Sequence, residues 1–133
     1  MPDLTVTAAA ITGPRAFAES GITPGDIDMA MIYDSFTITV LLLLEDLGFC
    51  KKGEGGAFVQ EGRIALGSQL PVNTDGGGLS SNHPGMRGIF LIIEATRQLR
   101  GQSGQRQVEN AKLAVAHGSG GLLSSQATTI LGK

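Results

Sequence analysis

Residues 38–44 read ITVLLLL, and the stretch around them, from Phe36 to Leu47, carries no charge before Glu45. Asp34 or Ser35 can cap a helix at its start and Gly48 supplies a stop, so the pattern predicts a helix from about Phe36 to Leu47. Its apolar residues, Ile38, Val40, Leu41, Leu42, Leu43 and Leu44, do not fall in one stripe but spread nearly all round the axis. A helix without a polar face has no side to offer water and is expected to be buried on every side. A chain of 133 residues has room for one compact domain and not for two separate cores. Either the other elements wrap this helix, or another chain completes its cover.

Charge and cysteine content remove several function classes. Ten Lys and Arg against twelve Asp and Glu give a formal charge of -2, with no basic stripe of the kind that tracks phosphates, so nucleic-acid binding is not expected. The single cysteine, Cys50, cannot form an internal disulfide, and two histidines with one cysteine in no ligand spacing make no metal site. The expectation is a reducing cytoplasm. The start, MPDLTVTAAA, has neither a basic segment nor a long apolar one, so it reads as neither signal peptide nor anchor. The longest apolar run, VLLLL at 40–44, is far too short for a membrane span.

Along the chain, helical and extended patterns alternate. Thr12 to Ser20 predicts a helix with Phe17 and Ala18 turned inward and Gly21 as its stop. After the turn ITPGDID, the run Met29 to Tyr33 suits a buried strand. Beyond the apolar helix lies the glycine-rich KKGEGGAFVQEG, with a single helical turn expected at Ala57 to Gln60, and then a short extended segment at Leu70 to Val72. Met86 to Leu99 predicts a second long helix, with Phe90, Ile93, Ala95 and Leu99 apolar and Arg97 and Arg100 complementing its C-terminal dipole. The polar GQSGQRQVEN connects to two closing strands, Lys112 to Ala116 and Leu123 to Leu131. Helices set between strands imply an α/β fold, with helices covering a mixed sheet.

In such sheets chemistry gathers at the carboxyl ends of strands. Three segments fall there: YDSF at 33–36, NTDGGGLSSNHPG at 73–85, and AHGSGG at 116–121. Each combines a functional side chain with glycines that let backbone N–H groups approach a ligand. His83 precedes Pro84, which restricts its backbone and favours a fixed imidazole, as a general base or an oxyanion donor requires. The structural alternatives are plain: a loop-bracing imidazole at His83 or His117, a half-buried packing phenol at Tyr33, cap and loop carboxylates at Asp34 and Asp75, and a surface charge at Arg87.

The order strand, YDSF, apolar helix, VNxxGGG, NHPG, helix, strand, HGSGG, strand resembles the C-terminal half of thiolases, most closely the sterol-carrier-protein type and its lipid-transfer-protein relatives. The resemblance runs from about Gly13 to the end. It implies an α/β half-domain over residues 1–133, with a five-stranded mixed sheet and helices on both faces, which stacks on an N-terminal thiolase half that this sequence lacks. The completed unit usually dimerises, so a homo-oligomer is expected. The implied substrate is a coenzyme A thioester, with no bound cofactor and no metal. The implied partners are the N-terminal half or an OB-fold acyl-CoA-binding protein.

Carried over by position, His83 matches the histidine of the family's GHP motif, which activates the nucleophilic cysteine and holds the thioester oxygen. Tyr33 takes the first place of the family's NEAF, or HDCF in the sterol-carrier type, where it can donate a phenolic O–H or act as an acid. His117, Gly118, Gly120 and Gly121 resemble the HNxGxGG segment, whose backbone N–H groups form part of an oxyanion hole. The departures matter as much. Asn82 replaces the glycine of GHP, PGMRG is a residue shorter than PxGxxG, and Ser35 stands where the sterol-carrier type has its second catalytic cysteine. The nucleophilic cysteine belongs to the N-terminal half, and Cys50 lies in none of the motifs. Three functions follow: acyl transfer on acyl-CoA or 3-ketoacyl-CoA thioesters, retro-aldol cleavage of an acyl-CoA side chain, or a non-catalytic structural or binding module.

Overall fold

The computed structural model describes residues 3–82 and 85–133. In chain order these form α1 (Ala9–Ser20), β1 (Met29–Ile32), α2 (Thr37–Asp46), the one-turn α3 (Gly55–Phe58), α4 (Arg87–Leu99), β2 (Leu113–Gly120) and β3 (Ser125–Gly132). The sheet order is β1-β2-β3, with β1 parallel to β2 and β2 antiparallel to β3. It is the mixed sheet expected, with three strands among the described residues in place of five. The segment Leu70 to Val72 does not become a further strand: it makes a single parallel bridge, Ala30 to Val72. Asn73 then turns into the left-handed region at φ 51°, which asparagine tolerates, and ends the pairing.

Helices lie on both faces because the strands alternate. Met29 and Met31 of β1, with Ala114 and Ala116 of β2, point to one side and pack against Leu91, Ala95 and Leu99 of α4. Ala30, Ile32 and Val115 point to the other, against Ala9 and Phe17 of α1 and Leu43, Leu44 and Leu47 of α2. Burying one such large side chain contributes about 1.5–3 kcal/mol. The two helices on the second face cross closely at Gly13, where an added Cβ would lie 2.9 Å from Leu47 Cδ2 and 3.3 Å from Leu47 Cα.

Four local expectations change. Helix α1 begins a turn early, at Ala9, because buried Thr7 accepts the Ala9 N–H on its Oγ1 at 3.1 Å. Strand β2 continues through His117 and Gly118 to Gly120, since β3 offers an unbroken antiparallel partner from Gly132 back to Ser125. His117 is therefore a strand residue, not a loop residue. Helix α2 is not covered on every side by this chain: Leu43 and Leu44 are fully buried, but Ile38 is 58% exposed and Phe36, just before the helix, 68%. The expected turn at Ala57 to Gln60 starts two residues earlier, at Gly55, whose N–H donates to Glu45 Oε1 at 2.9 Å.

The connection from α4 to β2 is tied down by polar contacts. Buried Glu94 accepts from Arg106 Nε and Nη2, both at 2.9 Å, and from Thr74 Oγ1 at 2.8 Å. Gln98 Nε2 donates to Glu94 Oε1 at 3.1 Å, and its Oε1 accepts the Val108 N–H at 2.8 Å. Among the described residues no helix is long and apolar enough to cross a membrane.

Candidate functional site at the carboxyl end of β1

The parallel ladder runs one step past β1, where the Tyr33 N–H donates to the His117 carbonyl at 2.9 Å. Strand alternation puts the half-buried Tyr33 side chain on the α4 face with Met29 and Met31, and it packs on that core cluster. On the outer side of β1, Asn73 completes the edge with its side chain: Oδ1 accepts the Ile32 N–H and Nδ2 donates to the Ile32 carbonyl, both at 2.8 Å. The amide thus does the work of a backbone partner and holds the glycine loop against the strand end.

Asp34, 4% exposed, fixes that loop from the strand side. Its carboxylate accepts the N–H groups of Gly78 (2.7 Å) and Leu79 (3.0 Å), the start of the short 3-10 turn Gly78–Ser80. Gly77 sits at φ 70°, and a Cβ there would fall on Asp34 Oδ2, so only glycine fits. From the helix side, Arg87 Nη2 donates to both oxygens of Asp75, at 3.0 and 2.8 Å, and Asp75 Oδ1 also accepts the Gly77 N–H at 3.0 Å. Arg87, expected at the surface, is 8% exposed.

Between these elements opens a cavity of about 320 Å³ lined by Tyr33, Asp34, Ser35, Phe36, Gly78, Leu79, Ser81 and Arg87. A larger groove, about 470 Å³, lies near the amino end of β1 around Pro24, Ile27, Phe49 and Leu70, and none of the three motifs lines it. The smaller cavity is the better candidate because the YDSF motif and the glycine loop converge there. Ser35 Oγ pairs with Thr39 Oγ1 at 3.0 Å, which anchors it within the start of α2.

The other candidates are placed differently. His83 and Pro84 lie outside the described residues. His117 is fully buried, and alternation puts its ring on the face opposite Tyr33, with Val115. Its Nδ1 is 2.8 Å from Thr128 Oγ1, which is 2.8 Å from Thr12 Oγ1 of α1, and Nε2 has no partner among the described residues. Burial lowers its pKa to about 4 despite opposing contributions from Gln126 and Asp46, so the ring is neutral at physiological pH. Gly118 faces the α4 side, where a Cβ would meet Gly88 Cα at 3.6 Å. Gly120 stands opposite Ser125, and Gly121, at φ 59°, begins the turn of the hairpin. Tyr33 and Gly118 thus share a face of the sheet that His117 does not.

The Cys50 thiol is half-buried and packed beside the α1–α2 core, and burial, then Glu45 and Glu54, push its pKa up despite Lys52. Lys52 is held by Asp46 at 2.7 Å and Glu45 at 3.3 Å. No group of three His, Cys, Asp or Glu among the described residues could hold a metal ion.

A mixed sheet with helices on both faces, opening at its strand ends between YDSF and a glycine loop, defines the class: the chain belongs to the thiolase C-terminal domain-like family, whose profile matches residues 1–133. It is 40% identical to an acetyl-CoA acetyltransferase of Methanothermobacter thermautotrophicus, over 98% of this chain and 35% of that protein. Over 70% of this chain it is 45% identical to the 17-hydroxy-3-oxo-4-pregnene-20-carboxyl-CoA lyase of Mycobacterium tuberculosis, covering 24% of the latter. Among solved structures, the Ltp2-ChsH2(DUF35) aldolase superposes with a TM-score of 0.87 at 34% identity, over 99% of this chain and 34% of that one. The chain spans about a third or less of the length of these relatives.

Proposed function

We propose that this chain is the C-terminal, acid–base part of a thiolase-fold enzyme that cleaves a carbon–carbon bond in a coenzyme A thioester by retro-aldol chemistry. One observation carries the proposal: the cavity at the end of β1 joins a phenol, Tyr33, to a hydroxyl, Ser35, at the place where the sterol-carrier type has its second catalytic cysteine. Covalent acyl transfer needs an activated thiol or its equivalent. Retro-aldol cleavage needs only a base, an acid and an oxyanion site. In a 3-hydroxyacyl thioester the base removes the hydroxyl proton and the bond between C2 and C3 breaks. A ketone leaves, and the electron pair moves onto the thioester oxygen as an enolate. Protonation at C2 then yields the shortened thioester. Tyr33 and His83 are the residues assigned to the two proton transfers, and the backbone at Gly118, Gly120 and Gly121 to the thioester oxygen. His117, neutral and on the other face, braces β2 and β3 against α1.

The same proposal gives the rest of the protein its part. The thioester-binding wall comes from an N-terminal thiolase half or from an OB-fold acyl-CoA-binding partner, and the assembly is a homo-oligomer in a reducing cytoplasm. The 40% identity to an acetyl-CoA acetyltransferase over 98% of the chain favours a second function, acyl transfer with a thiol supplied from that other half.

The test uses the full-length protein carrying this chain, with a tertiary 3-hydroxyacyl-CoA and, separately, a 3-ketoacyl-CoA plus free coenzyme A. Ketone release from the first substrate is expected, falling about 10²- to 10⁴-fold in Tyr33→Phe and in His83→Ala. Thiolysis of the second substrate alone would replace the aldolase with the transferase. Turnover of neither would leave a binding module.

A further inference from the structure

We infer that Asp75 sets which acyl groups the cavity at the end of β1 accepts. By pairing with Arg87 it withholds the guanidinium charge from the cavity, which then takes an uncharged acyl group and turns away one that carries a carboxylate. The inference rests on the reading above that the acyl part of a coenzyme A thioester enters beside Tyr33. Arg87 lines that cavity and Asp75 does not. Both Asp75 oxygens lie against the buried Arg87 side chain, at 3.0 and 2.8 Å, and both contacts use Nη2. Arg87 Nε is buried without a partner among the described residues. Asp75 thus neutralises the guanidinium without using up its donors.

The rest of the lining supplies no other positive charge. Asp34 is a second carboxylate, and it is engaged by the N–H groups of Gly78 and Leu79. Ser35 Oγ is paired with Thr39 Oγ1, and Ser81 Oγ donates to the Gly77 carbonyl at 3.2 Å. Phe36 and Leu79, both exposed, give the apolar part of the wall. Two carboxylates against one guanidinium leave a formal excess of one negative charge around the cavity. A carboxylate taken out of water needs a paired cation, and here it would compete with Asp75 for Arg87. An uncharged chain or ring meets no such cost. Selection by a withheld partner is the repulsive side of specificity. Asparagine at 75 separates the charge from the fold, because it keeps an oxygen for Arg87 and for the Gly77 N–H, which Asp75 Oδ1 accepts at 3.0 Å.

The experiment titrates hexanoyl-CoA and adipoyl-CoA, of equal chain length and differing in a terminal methyl against a terminal carboxylate, onto the chain joined to the N-terminal thiolase half proposed above. The unaltered protein is compared with Asp75→Asn, Arg87→Gln and the double variant. Hexanoyl-CoA should bind the unaltered protein more tightly, by about 10-fold or more. Asp75→Asn should move the ratio of the two dissociation constants about 10- to 100-fold toward adipoyl-CoA, the worth of a hydrogen bond to a charged group. Arg87→Gln, which leaves Asp34 and Asp75 without a cation, should move it the other way, and the double variant should lack the gain. Should Asp75→Asn not fold, the opposite shift in Arg87→Gln decides alone. Equal affinities in the unaltered protein, a ratio unmoved by either single variant, or a gain that survives in the double variant each overturn the inference, and so does binding of neither thioester. If ketone release fails in the test above while these ratios shift as stated, the cleavage reading falls and the role of Asp75 stands.

Discussion

A histidine with no exposed surface is a base only if a proton can reach it, and His117 has its ring sealed between β2, β3 and α1. With a folded pKa of about 4 against an ordinary value of 6.5, the unfolded chain binds the proton first as pH falls. Stability from this residue is complete above pH 6.5 and is lost as pH drops towards 4. The loss amounts to about 3 kcal/mol at most. His117→Gln should therefore flatten the dependence of the urea midpoint on pH between 6.5 and 4.5, the window above the usual carboxylate titrations. An unchanged slope in the variant would mean that the ring is not buried neutral. The sequence placed this imidazole beside glycines and suggested a loop. What it could not show was that Ser125 to Gly132 would pair with every residue of the segment and draw the histidine into a strand.

At the scale of elements, the connection after α4 depends on one buried carboxylate. Burial alone would raise the pKa of Glu94, yet Arg106, Thr74 and Gln98 together outweigh it and hold the group below 4.5, so its contribution is present above that pH and fades below it. Replacing Arg106 by Met leaves Glu94 with its hydroxyl and amide donors but no counter-charge, and should cost about 1–2 kcal/mol, less than a fully buried pair because the Arg106 side chain is 39% exposed and solvent screens it. A chemical denaturation series checks this, and adding Glu94→Gln should return part of the loss. If the double variant is the least stable, the charges were not coupled. None of this was visible in GQSGQRQVEN, which reads as a polar linker because its partners are 8–12 residues away on a helix face. The periodic elements were legible: the apolar runs at Met29 to Ile32 and Arg87 to Leu99 determine strand and helix by local pattern. The site was legible in part, since YDSF and the glycine loop do meet at the end of β1, while the burial of Arg87 depends on Asp75 across the loop and leaves no local trace.

Over the whole molecule, apolar surface remains uncovered. Ile89, Phe90, Ile92 and Ile93 on the outer face of α4 are 36–50% exposed, and Leu79 and Met86 nearby are 53% and 68% exposed. Contiguous apolar surface of this kind marks an interaction face. The isolated 133-residue chain should self-associate at micromolar concentration and bind an apolar dye, and it should do the second much less when joined to the N-terminal thiolase half proposed above. Analytical ultracentrifugation and dye fluorescence decide it; a monomer that binds no dye would show that these side chains are ordinary surface.

The parallel pairing of β1 with β2 also sets an order of events during synthesis. Asp28 accepts the Leu113 N–H across 85 positions of chain. At about 5–20 residues per second, the first strand leaves the ribosome roughly 4–17 seconds before the strand that pairs with it, and the apolar helix follows the first strand closely. During that interval Leu43, Leu44 and Leu47 lie against α1 and β1 without Val115, the part of their core that β2 supplies, and the nascent chain is a natural client for a holding chaperone.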